Sequence, residues 1–228
     1  MWIQLRRFIA IGLLLMGGCL LIWASIPAKR QVVVVLIRPV DMQLKVEGQI
    51  DAPTILRSHQ MRLDWPGTMR IGDTYRMELS FLPANENPVS SAQLSGFSDA
   101  YSTYNIMVEA RYEVAGIRVD PASPTRESMP PGQPVQFKWE LNAEKAGTYD
   151  GTVWLSLRYL PLSGAAPSQA PVHVQEIRST VISLFGISAP MARLTGGVGL
   201  ILSAVFFGND MIKFFRRSKG ENNTEVRS

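Results

Sequence analysis

The chain has 228 residues, 46% of them apolar, with one cysteine, two histidines and a formal net charge of +4 at a pI near 9.4. A lone Cys19 excludes an internal disulfide and a cysteine-based metal site, and two histidines exclude a three-histidine metal centre within one chain. The basic pI does not point to nucleic acid, because residues 30–188 carry 14 Lys and Arg against 16 Asp and Glu and the basic excess lies in the flanks.

The first element is apolar. Residues 8–25 hold no charge over 18 positions, and the greasy stretch runs on to about Ala28. About 20 helical residues cross a hydrocarbon core of about 30 Å, so this is a membrane span, with Trp2 and Trp23 near its two ends as interfacial aromatics. The alternative is a cleaved signal peptide. Its apolar region is only about 7–15 residues, shorter than this one, although residues 24–28 have the small side chains of a cleavage site. Leu15-Met16-Gly17-Gly18-Cys19 is similar to a lipoprotein box, with methionine in place of the usual leucine and apolar residues where a polar tether should follow. Cys19 is therefore read first as a cysteine facing lipid or helix, with lipidation as the alternative.

Between the greasy segments, apolar and polar residues alternate with the period of two that marks half-buried strands. Residues 32–37 are continuously apolar and read as a central strand. Met42, Leu44, Val46, Gly48 and Ile50 form one alternating set. Trp65-Pro66-Gly67 and Ile71-Gly72-Asp73 are turns, and Tyr75, Met77, Leu79 and Phe81 form the next strand. Residues 83–102 lack alternation and read as a long loop with room for a short helix. Tyr104, Ile106, Val108, Ala110, Tyr112 and Val114 alternate again. Residues 121–134 hold five prolines and read as an extended connection. Val135, Phe137, Trp139 and Leu141, then Val153, Leu155, Leu157 and Tyr159, are two strong strands joined by a hairpin loop at 142–147. A Ser-, Ala-, Gly- and Pro-rich loop is expected at 162–171, and two last strands in 172–187. Strands with one dry and one wet face build an antiparallel sandwich.

The second apolar segment covers residues 191–212, with Arg193 before it, Asn209 and Asp210 near its end, and Lys213, Arg216, Arg217 and Lys219 beyond. Arg193 is placed to snorkel to the interface, and Asp210 to pair with Lys213 one turn on. Thr195, Gly199 and Ser203 recur every four residues and share one helix face, a small-residue face of the kind that lets membrane helices approach. Gly17 and Gly18 offer a notch in the first span, so the two helices pack on each other or on a partner. The basic flanks orient both termini to the cytoplasm and the middle domain outside it. The organisation is thus a cytoplasmic start and first span at 1–28, an extracytoplasmic domain at 29–188, a second span at 189–213 and a disordered cytoplasmic tail at 214–228.

The run from Trp65 to Asp73 leading into an alternating strand, then residues 137–141 (FKWEL) and 146–151 (AGTYDG), resembles immunoglobulin-like modules of bacterial membrane-anchored proteins. The likeness covers about 120 residues. It implies a mainly β, immunoglobulin-like sandwich with an interaction role and carries over no functional residue. The paired cysteines of antibody-type domains are absent.

Motifs for chemistry are sparse. His59 and His173 read as solvated loop or strand residues, and no phosphate-binding glycine loop or dinucleotide fingerprint occurs. Glu109, Arg111 and Glu113 read as a solvated charge ladder. The expectation is a non-enzyme without cofactor. Trp65 and Trp139 fall on dry faces. Trp154 falls on the wet face of its strand and is the candidate partner or ligand surface, either open or covered by a flanking loop. The expected function is a membrane-anchored interaction or assembly module, an accessory subunit or scaffold. Its expected partners are lipid and another membrane or envelope protein, with a homo-oligomer also open. A carbohydrate- or peptidoglycan-binding module using Trp154 is the alternative, and an envelope hydrolase the third reading.

Overall fold

The computed structural model describes residues 2–42, 58–84 and 100–221. It divides into two compact units, Met1–Pro27 with Ser183–Ser228, and Ala28–Ile182. The helices are α1 (Trp2–Ser25), α2 (Ala100–Thr103) and α3 (Ala189–Glu221). The strands in chain order are β1 (Arg30–Ile37), β2 (His59–Pro66), β3 (Thr68–Arg70), β4 (Thr74–Pro83), β5 (Tyr104–Val114), β6 (Ile117–Asp120), β7 (Thr125–Ser128), β8 (Val135–Ala143), β9 (Gly147–Pro161) and β10 (Ser168–Ile182). A short 3₁₀ turn covers Pro39–Met42.

The middle unit is a β-sandwich. One sheet has the order β1-β2-β4-β8-β6, the other β3-β10-β9-β5-β7. All pairs are antiparallel except β3 with β10. The alternation fixes which faces meet. Leu63, Met77, Leu79, Phe81, Phe137, Trp139 and Leu141 from one sheet share a core with Ile106, Val108, Ala110, Tyr112, Leu155 and Leu157 from the other. Burying each leucine, isoleucine, valine, methionine or phenylalanine among them is worth about 1.5–3 kcal/mol and draws the two sheets together. The chain passes between sheets at Gly67, where β2 gives way to β3. Ser179 Oγ donates to the Pro66 carbonyl at 2.8 Å and Thr180 N–H to the Gly67 carbonyl at 3.0 Å, which pins that crossing.

Several expectations change. Residues 32–37 form an edge strand, not a central one: among the described residues β1 pairs only with β2, and of residues 32–37 only the odd-numbered ones face the core. A continuous apolar run does not distinguish the two positions. Residues 142–147 are not a hairpin loop, because β8 and β9 lie in different sheets. The two strands expected in 172–187 are one, β10, which already starts at Ser168 inside the expected loop. The proline-rich connection contains β7, paired with β5. The alternating set at 43–50 lies outside the described residues.

The other unit is an antiparallel helix pair. Pro27 stops α1, while the Ser188 carbonyl accepts the first turn of α3 and Pro190 sits where an N–H has no helical partner to lose. Both helices contain stretches, Phe8–Ser25 and Ala189–Phe207, long and apolar enough to cross a membrane, and most of their side chains are exposed. α3 remains helical through Glu221, so residues 214–221 are not the disordered tail the sequence implied. Residues 222–228 lie outside the described residues.

Candidate functional site

The alternation along β9 buries Val153, Leu155, Leu157 and Tyr159 and turns Trp154 outward, where it is 41% exposed. Arg111 of β5 and Val174 of β10 are its direct cross-strand neighbours. The Arg111 guanidinium carbon lies 6.0 Å from the indole centroid. Trp154 Nε1 donates to Glu113 Oε2 at 3.0 Å, and Glu113 Oε1 takes Arg111 Nη2 at 3.1 Å. The ring is thus held in one orientation by a cation over it and a carboxylate at its edge, geometry that stabilises by about 0.5–1 kcal/mol at an exposed site. A shallow depression beside it is lined by Glu109, Arg111, Ser156, Gln169 and Pro171. Gln169 Nε2 donates to Ser156 Oγ at 2.9 Å. Glu109 is gripped by Arg126 and lies 3.8 Å from Arg158. The expected charge ladder is therefore a cross-linked surface spanning β5, β7 and β9.

The helix face behaves differently from its expectation at one residue. Ser203 is buried and donates to the Ala10 carbonyl at 3.0 Å. A Cβ on Gly199 would lie 3.4 Å from the Leu13 carbonyl, and one on Gly196 would lie 2.9 Å from the Gly17 carbonyl. Thr195 is not on this seam. It is exposed and donates to its own helix at the Met191 carbonyl, 2.8 Å away. The contacting face is Ala192, Gly196, Gly199 and Ser203, a spacing of four, three and four that follows the 3.6-residue turn better than three steps of four. Gly17 faces it, while Gly18 has open space around it. Arg193 Nη2 donates to the Ala24 carbonyl at 3.2 Å, capping the end of α1.

Other candidates resolve plainly. His59 is not solvated but 5% exposed and stacked on Phe81, with centroids 4.7 Å apart. Tyr112 is buried over Gly151, whose absent Cβ would fall 2.6 Å from the phenol oxygen, and burial pushes that phenol up to about 12. Burial also raises Tyr159, whose hydroxyl donates to the Met42 carbonyl. Asp64 and Asp150 are paired with Arg30 and Arg178 at 2.7 and 2.6 Å. Among the described residues no group of three or more His, Cys, Asp or Glu is placed to hold a metal. Cys19 is exposed on α1.

One surface was missed in the sequence. On β1, Val32, Val34 and Leu36 point away from the core and are 49%, 50% and 56% exposed. Their alternation with Val33, Val35 and Ile37 is hidden because both faces are aliphatic.

The molecule is thus a mainly β sandwich bracketed by two helices of membrane-spanning length and composition. No known family model matches the chain, and no curated protein matches it significantly. Similar solved structures are β-sandwich domains. A CARDB domain from Pyrococcus furiosus matches with TM-score 0.29 and 8% identity over 53% of this chain and 84% of that one. AggA, the major subunit of aggregative adherence fimbriae from Escherichia coli, gives 0.27 and 8% over 69% and 98%. The cupredoxin domain of AmoB from Nitrosocaldus yellowstonii gives 0.23 and 16% over 49% and 57%. Scores this low transfer no ligand, metal or partner to this chain.

Proposed function

We propose that this chain is a membrane-anchored interaction module, an accessory subunit or scaffold whose sandwich lies outside the cytoplasm and contacts another membrane or envelope protein. The observation that carries the reading is the Trp154 surface. A large aromatic, backed by Val174 and fixed by Arg111 and Glu113, stands on an outer sheet face. Rigid aromatic anchors with polar rims are what protein interfaces use. The helix pair supplies the anchor, and the basic residues at 6–7 and 213–219 support a topology with its open ends in the cytoplasm.

The test is crosslinking in intact cells with a membrane-impermeant amine reagent, which reaches the exposed Lys138 and Lys145. The expected product joins the sandwich to an integral membrane or envelope protein, and Trp154→Ala removes it. A pattern of uncrosslinked chain only, or an unchanged pattern in Trp154→Ala, contradicts the reading. A second reading, glycan binding, is favoured by the planar indole beside the polar depression of Glu109, Ser156 and Gln169. Peptidoglycan pull-down that depends on Trp154 selects it over the first.

A further inference from the structure

The four strand edges of this sandwich are not treated alike. β6 and β7 are four residues each and β3 is three. β7 carries exposed Arg126 and Glu127, and β6 ends at Asp120 against Pro121. The stretch of β10 beyond its short pairing with β3 carries Pro171, Glu176 and Arg178. Short length, charge and proline are the devices by which sheets block unwanted pairing. β1 is neither short nor interrupted by proline, and its one charge, Arg30, lies at its first residue. It is eight residues long, its far side pairs with no strand among the described residues, and Gln31 to Ile37 contains no charge, proline or glycine. Its outward row is Val32, Val34 and Leu36, each about half exposed.

We infer that β1 is a docking edge that receives an extended segment of another membrane or envelope protein as a sixth strand. Main-chain hydrogen bonds would supply affinity, and the outward row specificity for alternating apolar side chains. This deepens the interaction role proposed above and rests on it.

Charge narrows the occupant. The apolar row is bounded by exposed Lys29 and Arg30 at one end and Arg38 at the other. Arg30 keeps 43% side-chain exposure despite its bond to Asp64. A second copy of the chain paired along β1 would gather two sets of these three cations on one seam, and with Val34 opposite its own copy it sets each Arg30 against an Arg38. Like charges directly opposite destabilise a strand pair. A segment with aliphatic residues at alternate positions and carboxylates at its ends complements both features.

The test uses the full-length protein in nanodiscs and a fluorescein-labelled octapeptide, Asp-Val-Thr-Val-Thr-Val-Thr-Asp. Saturable binding is expected, weakened about tenfold or more when lysines replace the aspartates. It is lost when alternate peptide nitrogens are methylated and lost in Val34→Lys, but retained in Val34→Thr, which keeps a β-branched residue. A melt of each variant shows whether the sandwich remains folded. Trp154→Ala leaves peptide binding unchanged, so failure here is separable from failure of the Trp154 surface. Absence of saturable binding, or equal binding of the methylated peptide, overturns the inference. In intact membranes, a photoreactive residue at position 34 is expected to mark an extended segment of a different membrane or envelope protein. Adducts confined to lipid, to a second copy or to the same chain overturn it.

Discussion

Trp139 and Trp154 sit on strong strands that are consecutive in the chain and similar in sequence character, yet the structure assigns them opposite roles. Trp139 is 1% exposed, stacked against Phe137 at 6.2 Å and close to Tyr112 at 6.5 Å. Truncation to alanine opens a cavity between both sheets and costs about 3–5 kcal/mol. For a domain of this size about 1 kcal/mol moves Tm by about 2–4 °C, so Trp139→Ala should melt about 6–20 °C lower. Trp154 is 41% exposed and loses one surface hydrogen bond and a cation contact. Trp154→Ala should cost about 1 kcal/mol and a few degrees. Trp139 adds a finer check. Its Nε1 is buried with no hydrogen-bond partner among the described residues. Trp139→Phe discards that orphan donor, a relief of about 1–3 kcal/mol that offsets part of the lost packing. The expected order of melting is wild type, then Trp139→Phe and Trp154→Ala close together, then Trp139→Ala far below. The assay is the loss of β-sheet circular dichroism in the full-length protein in detergent. Equal losses for the two alanine variants would refute the reasoning, because a one-residue slip in register exchanges the faces.

The helix pair predicts that cysteines at positions 10 and 203, in a Cys19→Ser background, form a disulfide, since Ser203 Oγ already reaches the Ala10 carbonyl. Gly196→Leu should weaken the pairing by driving Cβ into Gly17 and Leu21, a loss of about 0.6–2 kcal/mol read as reduced crosslink yield with normal insertion. Gly151→Ala should destabilise the sandwich by about 1–3 kcal/mol in denaturant melts, because its Cβ would strike the Tyr112 ring. Tyr112 also gives a pH signature. Its folded pKa of about 12 is raised above the ordinary 10, so its contribution, on the order of 2 kcal/mol, is fully present below pH 10 and is lost as pH rises through 12. Denaturant midpoints measured across that window should fall for wild type and fall less for Tyr112→Phe.

The parts of the fold that were legible in the sequence are those where one face is dry and the other wet. β4, β5, β8 and β9 follow the alternation residue by residue, and the outward direction of Trp154 follows from its neighbours Val153 and Leu155. β1 was misplaced because valines on both faces erase the alternation, so an edge strand reads like a central one. β3, β6 and β7 are three or four residues long, too short for a period to show, and their pairing is set by tertiary partners. The 142–147 segment was misread because turn composition marks a change of direction without saying which sheet receives the next strand. On α3 a strict four-residue spacing drew in Thr195, whereas the helical period brings Ala192, Gly196, Gly199 and Ser203 to the seam.

The proposed topology has a helix pair carrying this sandwich outside the cytoplasm with both chain ends inside. The direct measurement is labelling of single cysteines with a membrane-impermeant maleimide in intact cells, with Cys19→Ser as background. A cysteine at the exposed Ser163 should label in intact cells, and one at Ser228 only after lysis. Labelling of Ser228→Cys in intact cells, with Ser163→Cys protected, would contradict the account.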